Sequence, residues 1–261
     1  MRRHAGSLCW PRRHSAPEDD SMNRLITTLK HALGWHAAAP PPQGRQVGNY
    51  RYYGQFDPPL DQVLHERYFP TDPRDGVFVE CGAFDGVTES TCKFFEETLG
   101  WLGVNVEPSP PIFKKLAANR PASANVHAAL SNAEGEATFT AVVHPRFGDL
   151  CTNGSLRHHP EHLREIRASG WKERPYTVRT TTWRRLVEDR RLTRVDLFVL
   201  DVEGAELDVV AGMVGCPVLP GLICVEHGHL GIDRLKAVIE PLGYRYDGSR
   251  DVNSFFVRKA A

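Results

Sequence analysis

From Val77 onward the chain alternates short apolar runs with amphipathic stretches, which predicts strands separated by helices. The expected strands are 77–80, 103–107, 124–128, 136–142, 176–181, 196–201, 221–226, 243–247 and 253–258, with helices at 88–98, 109–119, 160–169, 182–190, 204–213 and 229–241. The runs DLFVLD (196–201) and GLICVE (221–226) are nearly continuous in apolar residues, as in central strands covered on both faces. The last two strands are separated by Asp247, Gly248, Ser249, Asp251 and Asn253, a turn-rich segment that predicts an antiparallel hairpin. The pattern is that of a doubly wound α/β fold, mostly parallel with a C-terminal antiparallel hairpin. Upstream, Leu60, Val63, Leu64 and Tyr68 fall at helical spacing and lead into the first strand.

The first 46 residues lack this order. Leu25, Ile26, Leu29 and Leu33 suit a short amphipathic helix, and Ala37–Ala39 with Pro40–Pro42 reads as a linker. Residues 1–46 are therefore expected to be a mobile tail, with one catalytic-type domain over 47–261. Met22 is an alternative start. Composition is that of a globular protein, 41% hydrophobic and 25% charged over 261 residues. A formal net charge of zero gives no reason to expect nucleic acid or an anionic membrane as partner, and no apolar run is long enough for a membrane span. Arg184, Arg185, Arg190, Arg191 and Arg194 read as the wet face of a helix. The six cysteines form no CxxC pair and suit a reducing, cytoplasmic setting.

The chemistry lies at the strand tips, because ligands of open α/β sheets bind beyond the carboxyl ends of the strands. The first strand ends in Glu80, Gly82, Ala83, Asp85 and Gly86; the second in Glu107; the third leads to Ser131 and Asn132. The strand at 196–200 ends in Asp201, with Glu203, Gly204 and Glu206 next, and the strand after it ends in Glu226, then His227, Gly228 and His229. An acid at the second tip can accept both ribose hydroxyls of an adenosine, so Glu107 points to an adenosine-containing cofactor. The first turn lacks the G-x-G-x-x-G spacing of a dinucleotide site and carries acids that repel a pyrophosphate. Those acids suit a ligand with an ammonium and a sulfonium, S-adenosylmethionine.

The segments FVECGAFDGVTEST, GWLGVNVEPSPPIFKKLAANRP, AALSNAEGEATF and VDLFVLDVEGAELDVVAG, then ICVEH and NSFFV, resemble the FkbM family of S-adenosylmethionine-dependent methyltransferases in order and spacing, from about Tyr50 to Val257. The resemblance implies a seven-stranded methyltransferase-type (Rossmann-like) sheet. Carried over by position, it implies that Glu80, Gly82, Ala83, Asp85 and Gly86 face the methionine part, that Glu107 holds the ribose, and that Ser131 and Asn132 lie near the adenine. Asp201 and Glu203 would face cofactor and acceptor, the latter a hydroxyl on a small molecule, natural product or glycan.

Methyl transfer to a hydroxyl benefits from a general base, for which the sequence offers His227 or Asp201. His158-His159-Pro160-Glu161-His162 contains metal-ligand types, but Pro160 interrupts their spacing, so this segment is expected to be a solvated loop and no metal is assigned. It belongs to a long section, His144 to Trp171, suited to a substrate lid in which Phe147, Leu150, Asn153, Ser155 and Trp171 are candidate acceptor contacts. Two other readings remain open: an NAD(P)-dependent oxidoreductase, and a non-catalytic nucleoside-binding relative.

Overall fold

The computed structural model describes residues 44–145, 148 and 151–259. The expected helix near Asn23–Leu33, the proline linker, and Phe147 and Leu150 lie outside these residues. The strands are β1 (Arg45–Val47), β2 (Tyr50–Tyr52), β3 (Val77–Cys81), β4 (Leu102–Val106), β5 (Ala124–Val126), β6 (Ala129–Leu130), β7 (Gly135–Val143), β8 (Lys172–Thr181), β9 (Leu197–Leu200), β10 (Leu222–Glu226), β11 (Tyr244–Arg250) and β12 (Asn253–Arg258). The α-helices are α1 (Leu60–Tyr68), α2 (Lys93–Glu97), α3 (Pro110–Asn119), α4 (Pro160–Ala168), α5 (Trp183–Asp189), α6 (Glu206–Ala211) and α7 (Ile232–Ile239).

Seven strands form one sheet in the order β11-β12-β10-β9-β3-β4-β5. The five strands from β10 to β5 are parallel, and β12 and β11 run antiparallel at one edge. This is the methyltransferase-type sheet with its C-terminal hairpin. Strand order reverses at β3, which lies between β4, its successor in the sheet, and β9. The crevice at such a reversal is where open α/β sheets bind ligands.

The alternation of side chains along each strand divides the interior into two cores. Val77, Val79, Cys81, Phe198, Leu200, Ile223 and Val225 pack with Trp183, Leu186, Val209, Val210, Leu235 and Ile239 of α5, α6 and α7. Phe78, Leu197, Val199, Leu222 and Cys224 pack on the other face with Leu60 and Leu64 of α1 and Phe94 and Phe95 of α2. Central strands apolar on both faces result directly from this double covering.

Two features differ from the sequence expectation. The strands expected at 136–142 and 176–181 do not enter the large sheet; they pair as β7 and β8, with β6, in a separate three-stranded sheet. Their own small core is built on Ala129, Phe139, Ala141 and Val178. The second feature is a hairpin, β1–β2, that precedes α1. Thr180 and Thr181 end β8, and the side chain of Thr182 caps α5 by accepting from Arg185 N at 3.2 Å. The arginines from 184 to 194 are exposed, as expected.

Candidate active site

The first turn, after β3, is held by its own amides. Gly82 N and Ala83 N donate to Val106 O at 3.1 and 3.2 Å, and Gly86 N donates to Ala83 O at 2.9 Å. Phe84 N donates to Glu107 Oε2 at 3.1 Å. Asp85 Oδ1 accepts from Val87 N at 2.9 Å and Thr88 N at 2.7 Å, an Asx turn that spends this carboxylate on the loop itself. Two glycines permit close approach: with φ +84°, a Cβ on Gly82 would meet Asp201 O at 1.8 Å, and with φ +76°, one on Gly86 would meet Arg120 Cγ at 2.5 Å.

Glu80 is placed inside rather than on the rim. It shares strand parity with Phe78, so its side chain enters the α2 core face. There its carboxylate accepts from Ser90 Oγ at 3.0 Å, Thr91 N at 2.9 Å and Cys92 N at 3.1 Å, immediately before α2. Burial pushes its pKa up, opposed by Arg120. Arg120 is fully buried, lies 3.9 Å from Glu80 Oε2, pairs with Glu96, and donates to Gly86 O at 3.0 Å. The expected methionine-facing acids, Glu80 and Asp85, thus both hold the turn through protein donors. Arg120 lies in the segment GWLGVNVEPSPPIFKKLAANRP that carries the family resemblance, but the sequence alone gives it no role.

Glu107 comes directly after β4 and is 6% exposed. Its carboxylate accepts from Phe84 N and from Ser109 N at 2.8 Å, joining the first turn to the start of α3. Burial pushes its pKa up to about 8 against those two bonds. A buried carboxyl with two amide donors and, among the described residues, no ion-pair partner still has acceptor capacity for further hydroxyl donors. Ser131 N donates to Thr181 O at 2.9 Å, placing Ser131 at the end of β6 in the smaller sheet. Asn132 is exposed, with its Nδ2 3.4 Å from Asp208 Oδ1.

Across the reversal, Asp201 N donates to Cys81 O at 3.0 Å. Oxygens of Asp201, Glu203 and Glu226 lie within 4.8 Å of one another. Burial, and after it the negative charges of Asp201, Glu203 and Glu206, drives the Glu226 pKa well above the usual carboxylate range, and Glu226 hydrogen-bonds Asp201. A proton retained on Glu226 lets it donate to the Asp201 carboxylate. Glu226 is visible in the sequence as a strand-tip acid, but its pairing with Asp201 needs the β9–β10 register, in which Val225 lies opposite Leu200. Glu206 is buried, accepts from Val202 N and Gly204 N at 3.1 Å each, and has its pKa raised to about 7 by burial. His227 turns toward the hairpin, its Nδ1 3.0 Å from Ser254 Oγ of β12.

The section carrying α4 is fastened to this rim. Ser155 Oγ donates to Val202 O at 2.9 Å, His162 Nδ1 lies 3.6 Å from Glu203 Oε2, and a Cβ on Gly204 would meet Arg157 O at 2.6 Å. Ser155 and Asn153 are buried; Asn153 O accepts from the His158 ring at 2.7 Å, while Trp171 packs on Val142, Cys151 and Ile166. Asn153 is therefore engaged within the section, Ser155 fastens it to the loop after β9, and Trp171 packs on its apolar core. The solvated-loop expectation for 158–162 is corrected: Pro160 is the first residue of α4, where it is tolerated, and His162 is 2% exposed.

A seven-stranded sheet of this order, with acids at the tips flanking its reversal, defines the methyltransferase class of α/β folds. The family model described as methyltransferase FkbM domain matches residues 80–246, and the chain belongs to that family. No curated protein matches the sequence. Among solved structures, methyltransferase FkbM from Methylobacillus flagellatus KT is 13% identical, with 76% of this chain and 50% of that chain covered and a TM-score of 0.42. This chain therefore spans about half the length of that protein. The Methanococcus jannaschii fibrillarin pre-rRNA processing protein is 11% identical, covering 86% of each chain at a TM-score of 0.46. A TehB-like SAM-dependent methyltransferase from Corynebacterium glutamicum is 13% identical, covering 92% of this chain and 100% of that chain at 0.40. Among the described residues, no helix is long and apolar enough to cross a membrane.

Proposed function

We propose that this chain is an S-adenosylmethionine-dependent methyltransferase that methylates a hydroxyl on a small molecule, natural product or glycan. The observation that carries the reading is Glu107: a buried carboxyl beside the strand-order reversal, bonded to the first turn and retaining acceptor capacity. Its oxygens suit the two ribose hydroxyls. The amides of Gly82, Ala83, Phe84, Gly86, Val87 and Thr88 are all engaged within the protein, so few amides of the first turn remain to cradle a pyrophosphate. That favours a sulfonium nucleoside over NAD(P).

In this reading Gly82 and Gly86 shape the turn, Ala83 lines it, and Glu80 and Asp85 keep it rigid around the methionine part. Ser131 and Asn132 remain proposed for the adenine side. When bound, the cofactor supplies an activated methyl group, and the chain's task is alignment and proton removal. Asp201, with its charge balanced by the proton on Glu226, takes the acceptor's hydroxyl proton; Glu203 orients the acceptor from the same rim. The bond between His227 and Ser254 favours Asp201 over His227 as base. The described cysteines are buried and form no disulfide among the described residues, which suits the proposed reducing, cytoplasmic setting. The test is release of S-adenosylhomocysteine when labelled cofactor is incubated with sugars, polyketides and peptides. Binding without release on any acceptor would favour the non-catalytic relative.

A further inference from the structure

We propose that His159, Glu161 and His229, supported by Glu165, form a site for one divalent transition-metal ion of the zinc class. Pro160 hides this site in the sequence, because the decisive third donor comes from beyond β10. The ligand atoms of His159, Glu161 and His229 all lie within 4.8 Å of one another. The ring planes of His159 and His229 lie 4° from parallel with centroids 5.6 Å apart. Tetrahedral zinc, with bonds of about 2.0–2.2 Å, holds its donors about 3.3–3.5 Å apart and lies in the plane of each imidazole, so the two rings must rotate to converge on the ion.

An independent observation comes from Glu165, one turn further along α4. Its side chain is 42% exposed, but its Oε2 is shielded from solvent, lies 3.8 Å from His229 Nε2 and has no hydrogen-bond donor among the described residues. That oxygen adds negative charge beside the histidine pair, which favours a cation there. Imidazole and carboxylate together suit zinc and its neighbours, whereas magnesium and calcium prefer all-oxygen sites. His159 caps α4 through Nδ1, accepting from Glu161 N at 3.3 Å; this weak bond is exchanged for the metal on binding. The ion would clamp the start of α4 to the loop after β10. This proposal does not depend on methyl transfer.

The test uses the untagged full chain, titrated calorimetrically with Zn²⁺, with visible absorption of Co²⁺ as a second readout. His159→Asn keeps a good helix cap while removing the imidazole, and His229→Gln keeps a polar side chain. The expected result is one Zn²⁺ per chain, a Co²⁺ spectrum displaced by Zn²⁺, and at least tenfold weaker binding in each variant. Thermal melting without metal should match wild type, which checks folding, and the Zn²⁺-induced rise in Tm should be lost. Absence of Zn²⁺ binding, or binding of equal strength in both variants, overturns the site.

Discussion

Gly82 and Asp201 meet across the strand-order reversal so closely that a methyl group on Gly82 would lie 1.8 Å from the Asp201 carbonyl oxygen. This contact sets the spacing of the β3 and β9 tips, and so fixes the first turn against which the proposed cofactor lies. Gly82→Ala adds both that overlap with backbone and a left-handed φ of +84°. The expected cost is about 2–4 kcal/mol in chemical denaturation, with S-adenosylhomocysteine binding lost.

Glu107 makes the affinity pH-dependent. Its pKa is raised from 4.5 to about 8 in the ligand-free protein, so it holds its proton at pH 7. That proton stabilises the free fold below about pH 4.5, and the contribution declines as pH rises toward 8. Ribose hydroxyls favour the carboxylate, so binding expels the proton. Affinity for S-adenosylhomocysteine should therefore strengthen with rising pH, by up to about tenfold per unit, and level off above about pH 8. Calorimetry in buffers of different ionisation enthalpy should show proton release. Glu107→Gln should be weaker and flat over the same range.

Arg120 is the hidden support of the first turn. Replacing it with Met strands Glu80 and Glu96 without their buried cation, at an expected cost of about 3–5 kcal/mol. Adding Glu80→Gln should restore part of that loss. A urea midpoint unchanged by Arg120→Met would deny the ion pair any structural role.

Asp201 and Glu226 should separate chemistry from binding. Asp201→Asn is expected to lower kcat by about 10²–10⁴ while cofactor affinity stays within about twofold. Glu226→Gln keeps a neutral hydrogen-bond donor beside Asp201, so activity should persist with a simpler pH profile, one ionisation having been removed. His227→Ala should fall well short of the Asp201→Asn effect; an equal loss would return the base role to the histidine.

The sheet is legible in the sequence because its central strands are apolar on both faces and end in acids, a pattern that survives without tertiary knowledge. The closing hairpin is legible from its turn residues. The face of Glu80 could be read from alternation: Phe78 and Glu80 share one parity, Val77, Val79 and Cys81 the other, and in a doubly covered strand both parities point inward. The separate β6–β8–β7 sheet is not legible, because strand patterns do not state their partners. Neither are the Asp201–Glu226 pair nor the convergence of α4 on His229. Both depend on which loop ends lie side by side, information carried by strand order rather than by local spacing.

The central claim, a sulfonium nucleoside held by Glu107, is tested most directly by calorimetric titration of the full chain with S-adenosylhomocysteine, beside NADH, in wild type and Glu107→Ala. The expected result is wild-type binding of S-adenosylhomocysteine, no heat from NADH, and a loss of about 1–3 kcal/mol in the variant. Wild-type protein that ignores S-adenosylhomocysteine, or a Glu107→Ala variant that binds it unchanged, would contradict that claim.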